Sequence, residues 1–245
     1  MKPQVPWLRV FAEGVAIVVS ILLAFGIQAW WEERQDRAEE ERILVALSDE
    51  FAANREVLAT NRTSHEAQQQ AALTLLRAAA SEIAMPMDSV DYLLSDIIWY
   101  GTDGWVTGTM DALLSSGDIG LISNKSLQLS LASWPDLRER LAAVEAEDEH
   151  GYEVLLPYLV SKAYLPQLYN ATRGIPGVSR EVPHSNVSLP IAGGGLDHTL
   201  LLGDREFQNL VSMRYTNETD YESVLGDMEA LINEIRALLE AEIAR

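Results

Sequence analysis

Cysteine is absent from the chain. That removes disulfides, zinc–thiolate sites, iron–sulfur clusters and cysteine nucleophiles together. It names no compartment, because a cysteine-free chain suits both a cytosol and a bacterial periplasm. Basic residues are scarce: 18 Lys and Arg stand against 37 Asp and Glu, a net charge of −19. No stripe of Lys or Arg offsets this surface, so nucleic acid is not an expected partner. The chain also lacks a nucleophile elbow, a phosphate loop and a dinucleotide fingerprint. Accordingly no catalytic residue, cofactor or metal is expected, and the protein reads as a non-enzyme.

What is present begins with one long hydrophobic run. Val10 to Ala29 reads VFAEGVAIVVSILLAFGIQA, with Glu13 its single charge. As a helix this run is about 30 Å long, the thickness of a bilayer's hydrocarbon layer. Trp7 precedes it and Trp30 and Trp31 follow, and indole rings favour the headgroup zone, so the three mark the two interfaces. A cleaved signal peptide is the competing reading, with Lys2 and Arg9 ahead of the run and Ala24-Phe25-Gly26 as the cleavage site. Twenty residues is long for a signal core, and the segment is expected to stay as an anchor.

Along this helix Ala12, Ala16, Ser20, Ala24 and Gln28 recur every four residues. Small side chains let membrane helices approach closely, and Glu13 and Gln28 are costly against acyl chains. Glu13 also has the option of reaching the near headgroups, a turn from Arg9. These six positions are the expected helix-packing face, toward copies of the chain or another membrane protein. The Lys and Arg count is nearly equal on the two flanks. The short tail before a long apolar segment favours the N-terminus inside and the domain translocated.

The rest reads as all-α. WEERQDRAEEER has no helix breaker, so the membrane helix is expected to continue into water. Leu44, Leu47, Phe51 and Leu58 then form a seam interrupted by Asn54 and extended by Asn61 and His65, with Asn54 expected at a wet edge. Further helices are predicted over Glu66–Ala84 and Asp88–Tyr100 (capped by Asp88), over Thr109–Ser115 with Gly117 closing it, and from Asn124 to Pro135. Another is predicted from Asp136 to about Leu168, kinked at Pro157. Residues 170–204 hold Pro176, Pro183, Pro190 and five glycines, an irregular loop in which SREVP and NVSLPI have room for a small hairpin. The final helix, Asp204–Ala244, carries Tyr221, Val224, Met228, Leu231, Ile235 and Leu238 on one seam. Its expected partner is the first helix, antiparallel.

Two segments carry a family resemblance. ILLAFGIQAWWEERQDRAEEERIL and MDALLSSGDIGLISNKSLQLSLASW together resemble a widespread bacterial family of N-terminally membrane-anchored helical proteins, a domain of unknown function. They span about a fifth of the chain. The Ala29-Trp30-Trp31 sequence departs from the Asn residues around a single Trp common in that family. The resemblance implies an anchor and a helical domain, with no activity. In SSGDIGLISNKSL every residue also has a structural role, in which Gly117 turns the chain, Ile119, Leu121 and Ile122 fill the core, and Asn124 caps the next helix.

Two neighbourhoods invite a metal reading. Glu145, Glu147, Asp148, Glu149 and His150 spread over more than one helix face, and no second His stands at zinc spacing, so a solvated acidic face is expected. Asp197-His198 with His184 lies in the loop and is expected to be solvent-exposed. Trp99, Tyr100, Trp105 and Trp134 are expected in the core.

The domain organisation is therefore a tail over 1–9, a membrane helix over 10–31, and an acidic helical domain over 32–245. The expected location is a bacterial inner membrane, single-pass, with the domain in the periplasm. The expected function is a membrane-anchored interaction protein that oligomerises or serves a membrane complex. The alternative is an extracytoplasmic ligand-binding or sensor module acting through a partner.

Overall fold

The computed structural model describes residues 7–81, 85–98, 104–171, 189–191 and 195–244, of which 7–10 and 12 are described by backbone alone. It is all-helical, with no strand among the described residues. The α-helices are α1 (Trp7–Ala80), α2 (Met87–Ile97), α3 (Gly108–Ser116), α4 (Lys125–Lys162), α5 (Leu165–Ala171) and α6 (Arg205–Ile243). Two 3-10 turns, Asp118–Leu121 and His198–Gly203, join them.

No glycine or proline falls between Gly26 and Ala80, and α1 runs unbroken for 74 residues. At 1.5 Å per residue it is about 110 Å long. The stretch 66–80, expected as a second helix, is the same helix continued. A heptad seam runs through its second half: Leu44, Leu47, Phe51, Asn54, Leu58, Asn61, His65, Gln68, Ala72 and Leu75 are all buried. Facing it on α6 are Phe207, Val211, Arg214, Glu218, Tyr221, Leu225, Met228, Ile232, Ile235 and Leu239, also all buried. Arg62 pairs with Glu229 and Gln69 with Thr219, so the helices run antiparallel, as expected. The α6 seam passes through Leu225, Ile232 and Leu239, one residue beyond the expected Val224, Leu231 and Leu238. Those three lie beside it, because α6 packs against α4 as well as α1.

Helix α4 continues through Pro135 and Pro157 to Lys162. The interruption expected at Pro135 does not occur. Leu127, Leu131 and Trp134 before the proline and Leu141 after it enter one apolar cluster, holding both halves on one line. Trp134 meets Phe51 edge-on at 5.1 Å and Trp105 at 6.2 Å, so these two indoles are core-packed as expected. Trp99 and Tyr100 lie outside the described residues. The helix ends at Lys162 because Pro166 clashes with the carbonyl four residues back, and Leu165–Ala171 forms a separate short helix.

Polar groups on α1 position the segment 104–124. Asn54 bonds the backbone of Val106 in both directions at 2.8 Å. It is fully buried, so the wet-edge expectation is overturned: the side chain satisfies a loop that would otherwise be left with open backbone groups. The Glu50 carboxylate accepts from Thr109 N at 2.6 Å and Met110 N at 3.2 Å, capping α3 from outside where Thr107 does not. Gly117 closes α3 at φ 80°, and the Asn124 side chain caps α4 through Ser126 N and Leu127 N. Asp88 falls in the first turn of α2, with Pro86 at the cap. Ile122 is fully buried, while Ile119 and Leu121 are half-buried.

Of the expected loop 170–204, residues 172–188 and 192–194 lie outside the described residues, and the hairpin and His184 fall there. The described part is more ordered than an irregular loop, with Asn170 in α5 and a 3-10 turn over 198–203.

Candidate functional site

Three places carry chemistry or an interaction surface. The first is the beginning of α1. Every described side chain from Phe11 to Ala38 is exposed. Phe11, Leu22, Leu23, Phe25 and Ile27 each expose more than 60% of their surface. It is the one helix among the described residues long and apolar enough to cross a membrane. A core helix of a soluble protein passes the same test of length and composition, but such a helix is mostly buried and this window is not buried at all. Large contiguous apolar surface of this kind marks a membrane or protein contact.

Glu13, Ala16, Ser20, Ala24 and Gln28 are exposed, and no other described helix covers them. The side chains of Ala12 and Trp7 lie outside the described residues. Ser20 returns its hydroxyl hydrogen to Ala16 O at 2.8 Å, and Gln28 donates to Glu32 at 2.9 Å. Both polar groups thus have bonds within the helix. Trp30 and Trp31 are exposed at the exit, their rings 6.5 Å apart, with Arg34 over Trp30 at 5.9 Å.

The second place is a polar layer inside the bundle. Two apolar clusters fill it, one built on Leu44–Leu58, α3 and Tyr221–Leu239, the other on Ala71–Leu75, α2, α5 and Phe207–Val211. Between them lie His65 and Gln68 from α1, Asp148 from α4, and Arg214 and Glu218 from α6, all buried. The Arg214 guanidinium bonds Asp148 and Gln68 and lies 3.0 Å from Glu218. His65 Nδ1 meets the other Glu218 oxygen at 2.7 Å, and its ring stacks on Tyr221 at 3.6 Å. Burial pushes Arg214 below its ordinary value, against the attraction of Glu218. Asp148 thereby corrects the expectation for 145–150. It turns inward to a buried cation, while Glu147, Glu149 and His150 stay in solvent.

The third is the Asp91–His198 pair. His198, expected in solvent, is fully buried. Its Nδ1 meets Asp91 at 2.6 Å, and its Nε2 accepts from Tyr164 N–H at 2.9 Å. Because Nε2 is an acceptor here, Nδ1 carries the hydrogen and donates it to the carboxylate. A catalytic His–Asp pair leaves the second nitrogen free for a substrate proton; this one spends it on the backbone. Asp91 also accepts from Gln167 Nε2 at 2.5 Å, and Gln167 Oε1 accepts from Leu196 N at 2.8 Å. The group is a staple that fastens the end of the loop to α2. Gly195 completes it at φ 89°, where an added Cβ would come within 2.7 Å of Gln167 Oε1.

An open hollow of about 330 Å³ between α4 and α6 is lined by Glu147, His150, Gly151, Met213 and Asn217. No group of three or more His, Asp or Glu fit to hold a metal occurs among the described residues.

The buried polar residues were missed from sequence, although one signal was available. Arg214 and Glu218 continue the three–four spacing of the α6 seam, and Gln68 that of α1. A charged residue at a seam position is a buried one. Asp91, Gln167 and His198 come from separate elements and leave no such trace. Comparison of the chain with protein-family models, curated proteins and solved structures gives no match.

Proposed function

We propose that this protein is a single-span, membrane-anchored interaction protein that works by binding rather than by catalysis. The observation that carries the reading is the fully exposed apolar start of a helix whose other half is the spine of a folded bundle. Indoles at Trp7, Trp30 and Trp31 bracket this segment, as interfacial anchors do. The Gln28–Glu32 bond at its far end fits a side chain leaving the hydrocarbon layer. The face of Ala12, Glu13, Ala16, Ser20, Ala24 and Gln28 is assigned to helix packing with a second copy or another membrane protein. The domain lies on the periplasmic side of a bacterial inner membrane, in keeping with the likeness to N-terminally anchored helical proteins. A non-enzymatic role is supported by how the buried His and Asp groups spend their hydrogen bonds on each other and on the backbone.

Fractionation of the full chain tests the anchor. It is expected in the pellet of carbonate-washed membranes, and Ile21→Arg with Leu22→Arg is expected to release it, since each Arg at the centre of a membrane helix costs about 2.5–3.5 kcal/mol. Recovery of the parent chain in the supernatant overturns the reading. Native mass spectrometry in mild detergent tests the packing face: Ala16→Leu with Ser20→Leu is expected to dissociate the assembly, and an assembly indifferent to both substitutions removes that assignment.

A further inference from the structure

We infer that the Arg214-centred layer is a register latch: it selects the axial position of α1 against α6 and so sets how far the bundle stands from the start of α1. Each of the two seams places buried residues at strict three–four spacing over ten positions. Apolar residues in such a repeat offer nearly the same fit after a slide of one heptad, a shift of about 10 Å. The apolar part of the seam, Leu44 to Leu58 against Tyr221 to Leu239, therefore discriminates weakly between registers.

The polar layer has no such freedom. Gln68 reaches Arg214 and His65 reaches Glu218 only in the observed alignment. A heptad slide in one direction brings Asn61 to the level of Gln68 and Leu58 to that of His65. The opposite slide brings Leu75 and Ala72. Either way Glu218 loses its imidazole, and in the second slide Arg214 also loses its amide partner. Polar groups buried without partners are costly, so the layer penalises both alternatives.

Other polar contacts of α1 do not select the register in this way. Glu40, Glu50 and Asn54 bond the segment 104–124 rather than α6. Arg62 with Glu222 and Glu229, and Gln69 with Thr219, do cross to α6, but at the solvent-exposed rim, where such pairs contribute little. Because α1 is continuous from Trp7 to Ala80, a slide at the layer moves the whole rod. If the start of α1 spans a bilayer, as proposed above, the register is also the height of the bundle over it.

The cysteine-free chain accepts two spin labels cleanly, at Ala52→Cys on α1 and Ser212→Cys on α6, both exposed and well separated along the bundle axis. Pulsed electron–electron distance measurement on the labelled full chain in detergent is expected to give one narrow distance. Replacing the layer by His65→Leu, Gln68→Leu, Asp148→Leu, Arg214→Met and Glu218→Leu is expected to keep the helix content and to add a second distance displaced by several ångströms. A single distance like the parent's in that variant, or one merely broadened about the same value, overturns the latch. Should the five substitutions prevent folding, His65→Leu with Gln68→Leu tests the same point, because Asp148, Arg214 and Glu218 still pair with one another. A second distance supports the latch and its absence overturns it. The readout lies within the bundle, so it stands whether or not the apolar segment is found in membranes.

Discussion

Arg214 and Glu222 show two different consequences of burying charge on one helix. Around Arg214 the carboxylates of Asp148 and Glu218 are both buried and both placed on the guanidinium. Arg214→Met strands them, and breaking a buried pair from one side costs about 3–5 kcal/mol. The expected result is a lower urea midpoint, and an unchanged midpoint refutes it. Glu222 lies at the rim, where burial raises its pKa more than Arg62 lowers it, with Glu66 adding to the rise. A raised folded value means that the folded state binds this proton more tightly than the unfolded chain does. The associated stability is complete below the usual glutamate value of 4.5 and is lost as pH climbs through the folded value. Glu222→Gln removes that loss. Relative to the variant, the parent's thermal midpoint is expected to decline from that value toward neutrality, and parallel profiles contradict the assignment.

Among the elements, α1 changes character twice along its length. Up to Trp31 it is apolar and exposed, from Glu32 to Arg42 it is charged with little cover, and from Leu44 it is the spine of the core. The middle stretch is held by neighbours on the helix itself, Glu33 with Arg37 at 2.5 Å and Glu39 with Arg42, pairs worth about 0.2–0.5 kcal/mol each. Helical hydrogen bonds without tertiary packing open readily. Amide exchange is therefore expected to be fast over Glu32–Arg42 and to slow by orders of magnitude from Leu44 onward. Uniform protection across both stretches would show that the middle stretch is packed against something.

For the molecule as a whole, the two apolar clusters and the polar layer all lie at or beyond Leu44 on α1. No described side chain before that residue is buried. Deleting residues 1–31 is expected to leave a domain that is soluble without detergent, with its helix content and thermal midpoint close to those of the full chain. Its remaining surface is strongly acidic, which favours solubility. A truncated chain that aggregates or melts much earlier would show that the apolar segment belongs to the fold.

The sequence by itself determined the elements whose cause is local. The apolar run, the unbroken passage from Trp31 into Leu44, the Gly117 turn, the Asn124 cap and the antiparallel partnership of α1 with α6 follow from periodicity and backbone preference. These are properties of neighbours along the chain. Tertiary structure alone decided what depends on residues far apart: that Asn54 holds Val106, that Asp148 and Glu218 share Arg214, that His198 closes on Asp91 and the Tyr164 amide, and that α4 runs straight through Pro135. In each case a polar group or a helix breaker has an unfavourable local tendency that a distant partner offsets, and the identity of that partner is set only when the chain has packed.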